Sequence, residues 1–204
     1  MSAVIQNLAS FVGLMLMALF VENAVFTRGL GVSRLVNLVT NSSVDGVIFC
    51  SLLTLVLVIS APLGFFANQF IMQQQFWFRD YIRPLILVVC AIIAFFIVLF
   101  GIFLVRPANT KNIVAVLPMA TFNGAVLGPM LVTATQNYTF VQTMGFALGS
   151  GLGYGLAVLI VSEGQRRMNN RSVPATFKGL PINLLYIGIL ALAIYALTGH
   201  RVAI

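Results

Sequence analysis

Charge is what this sequence has least of. Only 7% of its 204 residues are charged, just four residues are acidic, and there is a single histidine. A soluble domain carries about 25% charged residues, so the composition excludes an ordinary soluble fold. The one histidine, His200, follows the last apolar run. A Ser-His-Asp set, and with it a self-contained active site of the soluble type, is therefore not predicted.

Cysteine is almost as scarce. Cys50 and Cys90 both fall inside apolar runs, and their separation has no metal-ligand spacing. A cysteine in such a run is most often a small packing residue. We therefore expect neither thiol to bind a metal.

Long apolar runs are what the sequence has instead. Hydrophobic residues make up 60% of the chain and the mean hydropathy is +1.05. The runs are long enough to cross a hydrocarbon core of roughly 30 Å. The sequence predicts an all-α polytopic membrane protein that forms one domain over residues 1–204. Six segments are expected, at about 3–26, 44–70, 84–105, 113–135, 140–162 and 182–198.

The basic residues between these segments predict the orientation. Loops 27–43, 106–112 and 163–181 carry eight Lys and Arg residues, and the opposite side carries three. The positive-inside rule then places these loops in the cytoplasm and both termini outside. The expected location of the protein is the inner (cytoplasmic) membrane. The net charge of +7 is explained in the same way. No basic-aromatic face indicates a nucleic-acid partner, so membrane lipid is the expected environment.

One membrane segment is full of helix breakers. The stretch Leu117–Pro129 holds two prolines, two glycines and a central asparagine. Broken backbone survives in lipid only where protein or a water-filled cavity covers it. A shorter stretch with a similar pattern, Val21-Glu22-Asn23-Ala24-Val25-Phe26, lies about a hundred residues earlier.

Both broken stretches lie in the first segment of a three-segment half. Three crossings per half predict two inverted repeats, about 1–105 and 106–204, with half-helices that face each other near the bilayer midplane. Residues expected to line an ion path or form the half-helices are Glu22, Asn23, Pro118, Thr121, Asn123, Gly124 and Gly128.

Glu22 is the only acidic residue within an apolar run. An ionisable residue in a membrane is a functional candidate by default. It could carry a proton, coordinate a cation or bond a helix terminus. It could equally lie near the cytoplasmic interface and pair with Arg28. Asn23 and Asn123 could satisfy freed backbone groups or contact a ligand directly.

The fifth segment is rich in small residues. Small-xxx-small spacing lets helix backbones approach closely, so ordinary tight packing is expected here. The glycines concerned are Gly145, Gly149, Gly151, Gly153 and Gly155.

Three stretches resemble the six-helix membrane subunits of the Rnf and Nqr complexes. They are Val21-Glu22-Asn23, the sequence from Leu117 to Gly128, and Val173-Pro174-Ala175-Thr176-Phe177-Lys178-Gly179. The resemblance covers most of the chain in order. It implies the inverted three-plus-three fold, and pairing of two homologous subunits that together hold a [2Fe–2S] centre. It also implies ion-translocating electron transfer with flavin and iron–sulfur partner subunits.

The sequence departs from that family at the cluster ligands. The family has cysteine directly after the second asparagine, where this chain has Gly124, and the stretch after Asn23 has no cysteine. Because such clusters are normally held by cysteine thiolates, no cluster is expected in this chain.

Two functions remain open on the sequence. The first is membership of a complex of this type, in which the chain scaffolds partners or lines an ion path and is at most a non-catalytic part of an oxidoreductase. The second is a stand-alone transporter or channel for a cation or small solute on the same scaffold. Either a homodimer or pairing with a paralogous subunit is expected.

Overall fold

The computed structural model describes residues 2–40, 45–73, 77–107, 110–168 and 174–198. Helices dominate these residues, as expected where lipid requires every backbone polar group to be bonded within its own segment. His200 and Arg171 lie outside the described residues. The α-helices are α1 (Ser2–Leu16), α2 (Val32–Thr40), α3 (Gly46–Gln73), α4 (Arg79–Val105), α5 (Thr110–Thr121), α6 (Gly124–Thr135), α7 (Phe140–Met168) and α8 (Leu180–Thr198).

Two short helices of other types complete the fold. A π-helix, Met17–Val21, continues α1, and a 3₁₀-helix, Ala175–Phe177, precedes α8. Single-turn π-helices are rare and frequently occur at functional sites.

The described helices supply up to six membrane spans. Five are long and apolar enough on their own, and α5 with α6 forms a sixth that is bent by 46°. The predicted polytopic helical membrane protein is therefore confirmed. The largest extensions beyond the predicted segments are at α4, which begins at Arg79, and at α7, which continues to Met168.

The prediction of a loop over residues 27–43 is wrong for Val32–Thr40, which form α2. This short helix is amphipathic, and it buries Leu35 and Val36. A nine-residue amphipathic helix is too short and too polar to be recognised as part of an apolar run. The chain therefore resumes a helix after the first break, just as α6 resumes one after the second.

The core lies where α3 packs against α7. Helix α1 packs along α7, whereas α4, α5 and α6 all contact α3. Helix α8 contacts α7 and α2. Among the largest fully buried side chains are Tyr154, Phe49, Phe146, Leu53 and Leu57.

The glycines of α7 bring its backbone close to α1. A methyl group at Gly145 would collide with the Phe11 carbonyl oxygen, and one at Gly149 with that of Met15. The contacted residue advances along α1 as the glycine advances along α7, so the two helices run parallel.

The other glycines of this segment have different neighbours. Gly151 lies against Thr54 of α3, and Gly153 lies against the first helix break. At Gly155 an added methyl group would have a neighbour only at 3.8 Å, the Cβ atom of Cys50. Four of the five glycines thus stand at close helix contacts, and Gly155 has room beside it.

Candidate functional site at the two helix breaks

The first break begins where the π-helix ends. Glu22 leaves helical geometry with φ −104° and ψ 42°. The next residue, Asn23, is 1% exposed, and its side-chain oxygen accepts hydrogen bonds from the backbone N–H groups of Val25 and Phe26 at 2.9 and 3.4 Å. The Asn23 oxygen thus replaces the backbone carbonyl acceptors that these N–H groups would have in an unbroken helix.

The amide nitrogen of Asn23 faces the other way. It donates to the carbonyl oxygen of Leu19 and to that of Gly153 in α7, each at 2.9 Å. Both ends of this buried amide are therefore bonded, and the break is fixed to a distant span.

The second break is shorter. Helix α5 ends at Thr121, and Asn123 is the N-cap of α6 with extended geometry, φ −116° and ψ 139°. Its side-chain oxygen accepts from the backbone N–H of Ala125 at 3.2 Å. Thr121 is buried, and its hydroxyl donates to the Leu117 carbonyl at 3.0 Å. Pro118 lies within α5, three residues before that helix ends.

The two asparagines share one bond and differ in another. Each accepts from the backbone N–H two residues later, as an N-cap side chain does. The amide nitrogen of Asn123, unlike that of Asn23, has no hydrogen-bond partner in the part of the chain that the structure describes. The second break is thus held by fewer side-chain bonds than the first.

The two breaks lie in contact with each other. Gly31 has φ +74°, and an added methyl group there would come within 2.7 Å of the Asn123 side-chain oxygen and 2.9 Å of the Tyr154 ring. The hydroxyl of Tyr154 donates to the Gly31 carbonyl oxygen at 3.2 Å. Both the left-handed backbone and the missing side chain therefore require glycine at this position.

Leu30 covers the start of α6. An added methyl group at Gly128 would overlap the Leu30 side chain, whereas one at Gly124 would have the Gly31 nitrogen at 3.6 Å and Leu30 at 3.8 Å. The predicted half-helix glycines thus form the surface on which the first break packs.

The contact between the breaks lies deep in the bundle. Asn23 is bonded to Gly153, which is near the middle of the 29-residue helix α7. Tyr154 is the next residue of α7 and is fully buried. Both breaks therefore meet at about half the depth of the longest span.

Glu22 forms an ion pair beside this contact. Its carboxylate accepts from the Arg28 guanidinium at 2.7 Å, and the two side chains are 22% and 38% exposed. The pairing with Arg28 is thus one of the alternatives that the sequence left open.

Tyr138, in the short connection between α6 and α7, shares the electrostatic environment of this pair. Burial raises the pKa of Tyr138, the Glu22 carboxylate raises it further, and the Arg28 guanidinium lowers it. A phenol, a carboxylate and a guanidinium therefore lie within electrostatic range of one another on this side of the bundle.

The residues at the breaks do not fit an iron–sulfur cluster. They present amide, phenol and backbone groups with a leucine, whereas such a cluster needs thiolates. The two cysteines lie on α3 and α4, and in the described residues no group of three His, Cys, Asp or Glu side chains could hold a metal ion.

Sequence reasoning missed three residues of the site. Tyr154 lies among the packing glycines of α7, and Leu30 and Gly31 lie in the stretch predicted to be a loop. One signal was available for Tyr154: it is the only aromatic residue in the glycine-rich run from Gly149 to Gly155, where small residues otherwise allow close packing.

Comparison with known proteins decides the family. The pattern of a family described as "Rnf-Nqr subunit, membrane protein" matches residues 11–200. This chain belongs to the Rnf-Nqr subunit family. The match includes both helix breaks, α7 and all of α8, so the site described above lies entirely within the family's domain.

Three relatives show how far the similarity extends. The E subunit of the Na(+)-translocating NADH-quinone reductase of Chlamydia pneumoniae is 26% identical over 197 residues, 92% of this chain and 77% of the relative. The A subunit of the ion-translocating oxidoreductase complex of Syntrophotalea carbinolica is 38% identical over 93 residues, 46% of this chain and 48% of the relative. The A subunit of the Na(+)-translocating ferredoxin:NAD(+) oxidoreductase complex of Acetobacterium woodii is 34% identical over 85 residues, 42% of this chain and 44% of the relative.

The alignments to the Syntrophotalea and Acetobacterium proteins therefore span about half of their length. Among these three relatives, the alignment to the Chlamydia protein extends over most of both chains.

Proposed function

We propose that this Rnf-Nqr family protein is a membrane component of an ion-translocating electron-transport complex and has no iron–sulfur centre of its own. The family match over residues 11–200 is the observation that carries the proposal. The relatives are named as subunits of ion-translocating oxidoreductases. In this role the chain would scaffold partner subunits and line part of an ion path.

The proposed architecture is an inverted repeat of residues 1–105 and 106–204. In each half the first span is broken at an asparagine. Its side-chain oxygen accepts a hydrogen bond from the backbone N–H two residues later. Helix α1 packs along α7, and α5 and α6 pack along α3, so the first span of each half contacts the second span of the other. Broken helices at matching positions are typical of transporters with a site at the midplane.

Glu22 is the proposed ion-path residue. A charged pair in a membrane faces the bundle interior, water or another protein, because lipid does not solvate it. Since the pair of Glu22 and Arg28 is partly exposed on this chain, we propose that it faces a water-filled passage or a second membrane protein of the complex. That second protein would be a paralogue or another copy of this chain, with flavin and iron–sulfur subunits beyond it.

The proposed orientation follows the basic loops. Residues 106–107 and 174–179, in the connections before α5 and α8, would lie towards the cytoplasm and both termini outside, whereas residues 27–31 belong to the first helix break. The bacterial inner membrane is the proposed location.

Co-purification tests the proposal directly. The full chain, tagged in its native host and extracted in mild detergent, is expected to bring down stoichiometric membrane subunits together with flavin-containing and iron–sulfur subunits. A matched tag on an unrelated inner-membrane protein controls for carry-over. Recovery of the chain alone, as a monomer or homodimer, would contradict the proposal.

One observation favours a second function, a stand-alone cation or solute transporter. The broken spans persist at the centre although the residues there do not fit a redox group. Liposomes that contain only this chain would then show flux of a cation or solute, and Glu22→Gln would abolish it. No flux of any tested ion above that of empty liposomes would exclude this alternative.

A further inference from the structure

One buried face of α7 carries hydroxyl groups on one side of Tyr154 and only apolar side chains on the other. Its residues recur at helical spacing, and each is at most 2% exposed: Thr143, Ala147, Ser150, Tyr154, Ala157 and Val161. The face is directed at α3 and α6, because Ala147 shares an enclosed void with residues of both helices. We call this meeting line of α3, α6 and α7, from Tyr154 to the start of α7, the polar seam.

The two smaller hydroxyls of the seam lack the bond that a buried helix hydroxyl usually makes. The described residues include five buried serines and threonines. Three of them, Ser60, Thr121 and Thr133, donate to a carbonyl three or four residues earlier, at 3.2, 3.0 and 2.9 Å. Thr143 and Ser150 have no hydrogen-bond partner in the part of the chain that the structure describes. A buried polar group left in this way costs free energy.

Further unpaired groups lie at both ends of the seam. At the helix breaks these are the amide nitrogen of Asn123 and, since Pro129 has no N–H to offer, the carbonyl of Ala125. At the outer end, where α3 ends and α7 begins, Asn68 donates to the Ala134 carbonyl at 3.4 Å, but its side-chain oxygen has no partner among the described residues. Buried polar groups without a protein partner are normally bonded to ordered water.

An apolar constriction separates the two polar stretches of the seam. It surrounds the void beside Ala147, which is too small for a water molecule and is otherwise lined by Leu57, Ala61, Pro129, Met130 and Thr133. The methyl end of Met130 lies against Gly64, where an added methyl group would come within 3.0 Å of it. A methionine side chain is unbranched and has three rotatable bonds, so it can both close and open such a gap.

We propose that the polar seam is an access route from the outer end of the bundle to the helix breaks, with water beside Thr143 and beside Ser150, and with Met130 as its gate. An apolar constriction between polar stretches excludes water until a side chain moves. The inference rests on the proposed ion path, for which it supplies the route from one side of the membrane.

Thiol reactivity tests whether water reaches the seam. The full chain is first freed of its own thiols by Cys50→Ser and Cys90→Ser. Ser150→Cys and Ala157→Cys are then compared in detergent; they lie on the same face, four residues before and three residues after Tyr154, and are 1% and 0% exposed. The thiols react with silver ions, and those left are counted with a fluorescent maleimide after denaturation. Ser150→Cys should react at least about tenfold faster.

The gate predicts a further difference between two substitutions on α6. Met130→Ala should accelerate the reaction of Ser150→Cys by about tenfold again and leave that of Ala157→Cys unchanged. Val132→Ala is the matched control, since Val132 is also buried on α6 but packs in the cluster of Ala18 and Phe146. It should change neither rate.

Melting temperatures give a second measurement that needs no labelling. If the Ser150 hydroxyl is bonded to water, Ser150→Ala should not stabilise the chain relative to Ser60→Ala, which removes a hydroxyl bonded within its own helix. If the hydroxyl is dry and unpaired, its removal should raise the melting temperature above that of Ser60→Ala.

Three results would overturn the proposal. Ser150→Cys and Ala157→Cys could react equally fast, or Val132→Ala could accelerate Ser150→Cys as much as Met130→Ala does. The third is a higher melting temperature for Ser150→Ala than for Ser60→Ala. All of these measurements use the isolated chain, so they can fail although partner subunits co-purify, and they can succeed although none do.

Discussion

The side-chain amide of Asn23 donates a hydrogen bond to the carbonyl oxygen of Gly153, 2.9 Å away and 130 residues later in the chain. This bond joins the first helix break to the middle of the longest span. Gly153 allows the approach, because an added methyl group there would lie 3.0 Å from the Asn23 amide nitrogen. The break is thus part of the packed core.

Asn23→Ala should destabilise the fold more than Asn123→Ala. The first change removes four hydrogen bonds and leaves buried backbone groups unpaired, at a cost of about 3 kcal/mol. The second removes one cap bond, worth about 1 kcal/mol. Thermal unfolding in detergent, followed by circular dichroism, compares them. Equal melting temperatures for the two variants would show that the Asn23 bonds do not hold the break.

The glycines of α7 supply a matched pair. Gly149→Ala forces the backbone away from the Met15 carbonyl and should cost about 2 kcal/mol or more, as overpacking does. Gly155→Ala meets only a contact at 3.8 Å and should be neutral or slightly stabilising, since alanine favours the helix. Melting temperatures of both variants test this, and a loss of stability for Gly155→Ala equal to that for Gly149→Ala would contradict the difference in space at the two glycines.

A second matched pair lies in the first break. Gly29 and Gly31 have φ of +66° and +74°, so alanine strains the backbone at both by about 1 kcal/mol. Only at Gly31 would the new methyl group also collide with Asn123 and Tyr154. We expect Gly31→Ala to prevent accumulation of folded protein in membranes and Gly29→Ala to be tolerated. Membrane yield and size-exclusion profiles measure the difference. If both variants fold equally well, the two breaks do not touch.

Removing both charges of the Glu22 and Arg28 pair should restore part of the stability that each single substitution loses. Glu22→Gln and Arg28→Gln each leave one partly buried charge without its partner, which is costly, whereas the double variant leaves neither charge. The two effects should therefore be non-additive by at least about 0.5 kcal/mol. A double-mutant cycle on thermal stability measures the coupling, with Glu163→Gln and Arg167→Gln, an exposed pair on the same chain, as the comparison. Additive effects at Glu22 and Arg28 would show that each has a partner elsewhere.

The sequence predicted the spans well because long apolar runs have few alternatives in a membrane. It also predicted both breaks, since proline, glycine and asparagine disrupt an otherwise continuous apolar pattern. Helix α2 was missed because its amphipathic pattern is short and its basic flank suggested a loop. The contact of Gly31 with Asn123 and Tyr154 could not be read from the sequence, because it joins three distant segments through packing alone.

Iron analysis tests whether this chain holds a redox centre of its own. The full chain, expressed without other subunits in a host that assembles iron–sulfur proteins, is purified anaerobically. Iron, acid-labile sulfide and the visible spectrum are then measured per chain. We predict substoichiometric iron and sulfide and no cluster absorbance, unchanged by Cys50→Ser and Cys90→Ser. About two irons and two sulfides per chain or per pair of chains, lost in either serine variant, would contradict it.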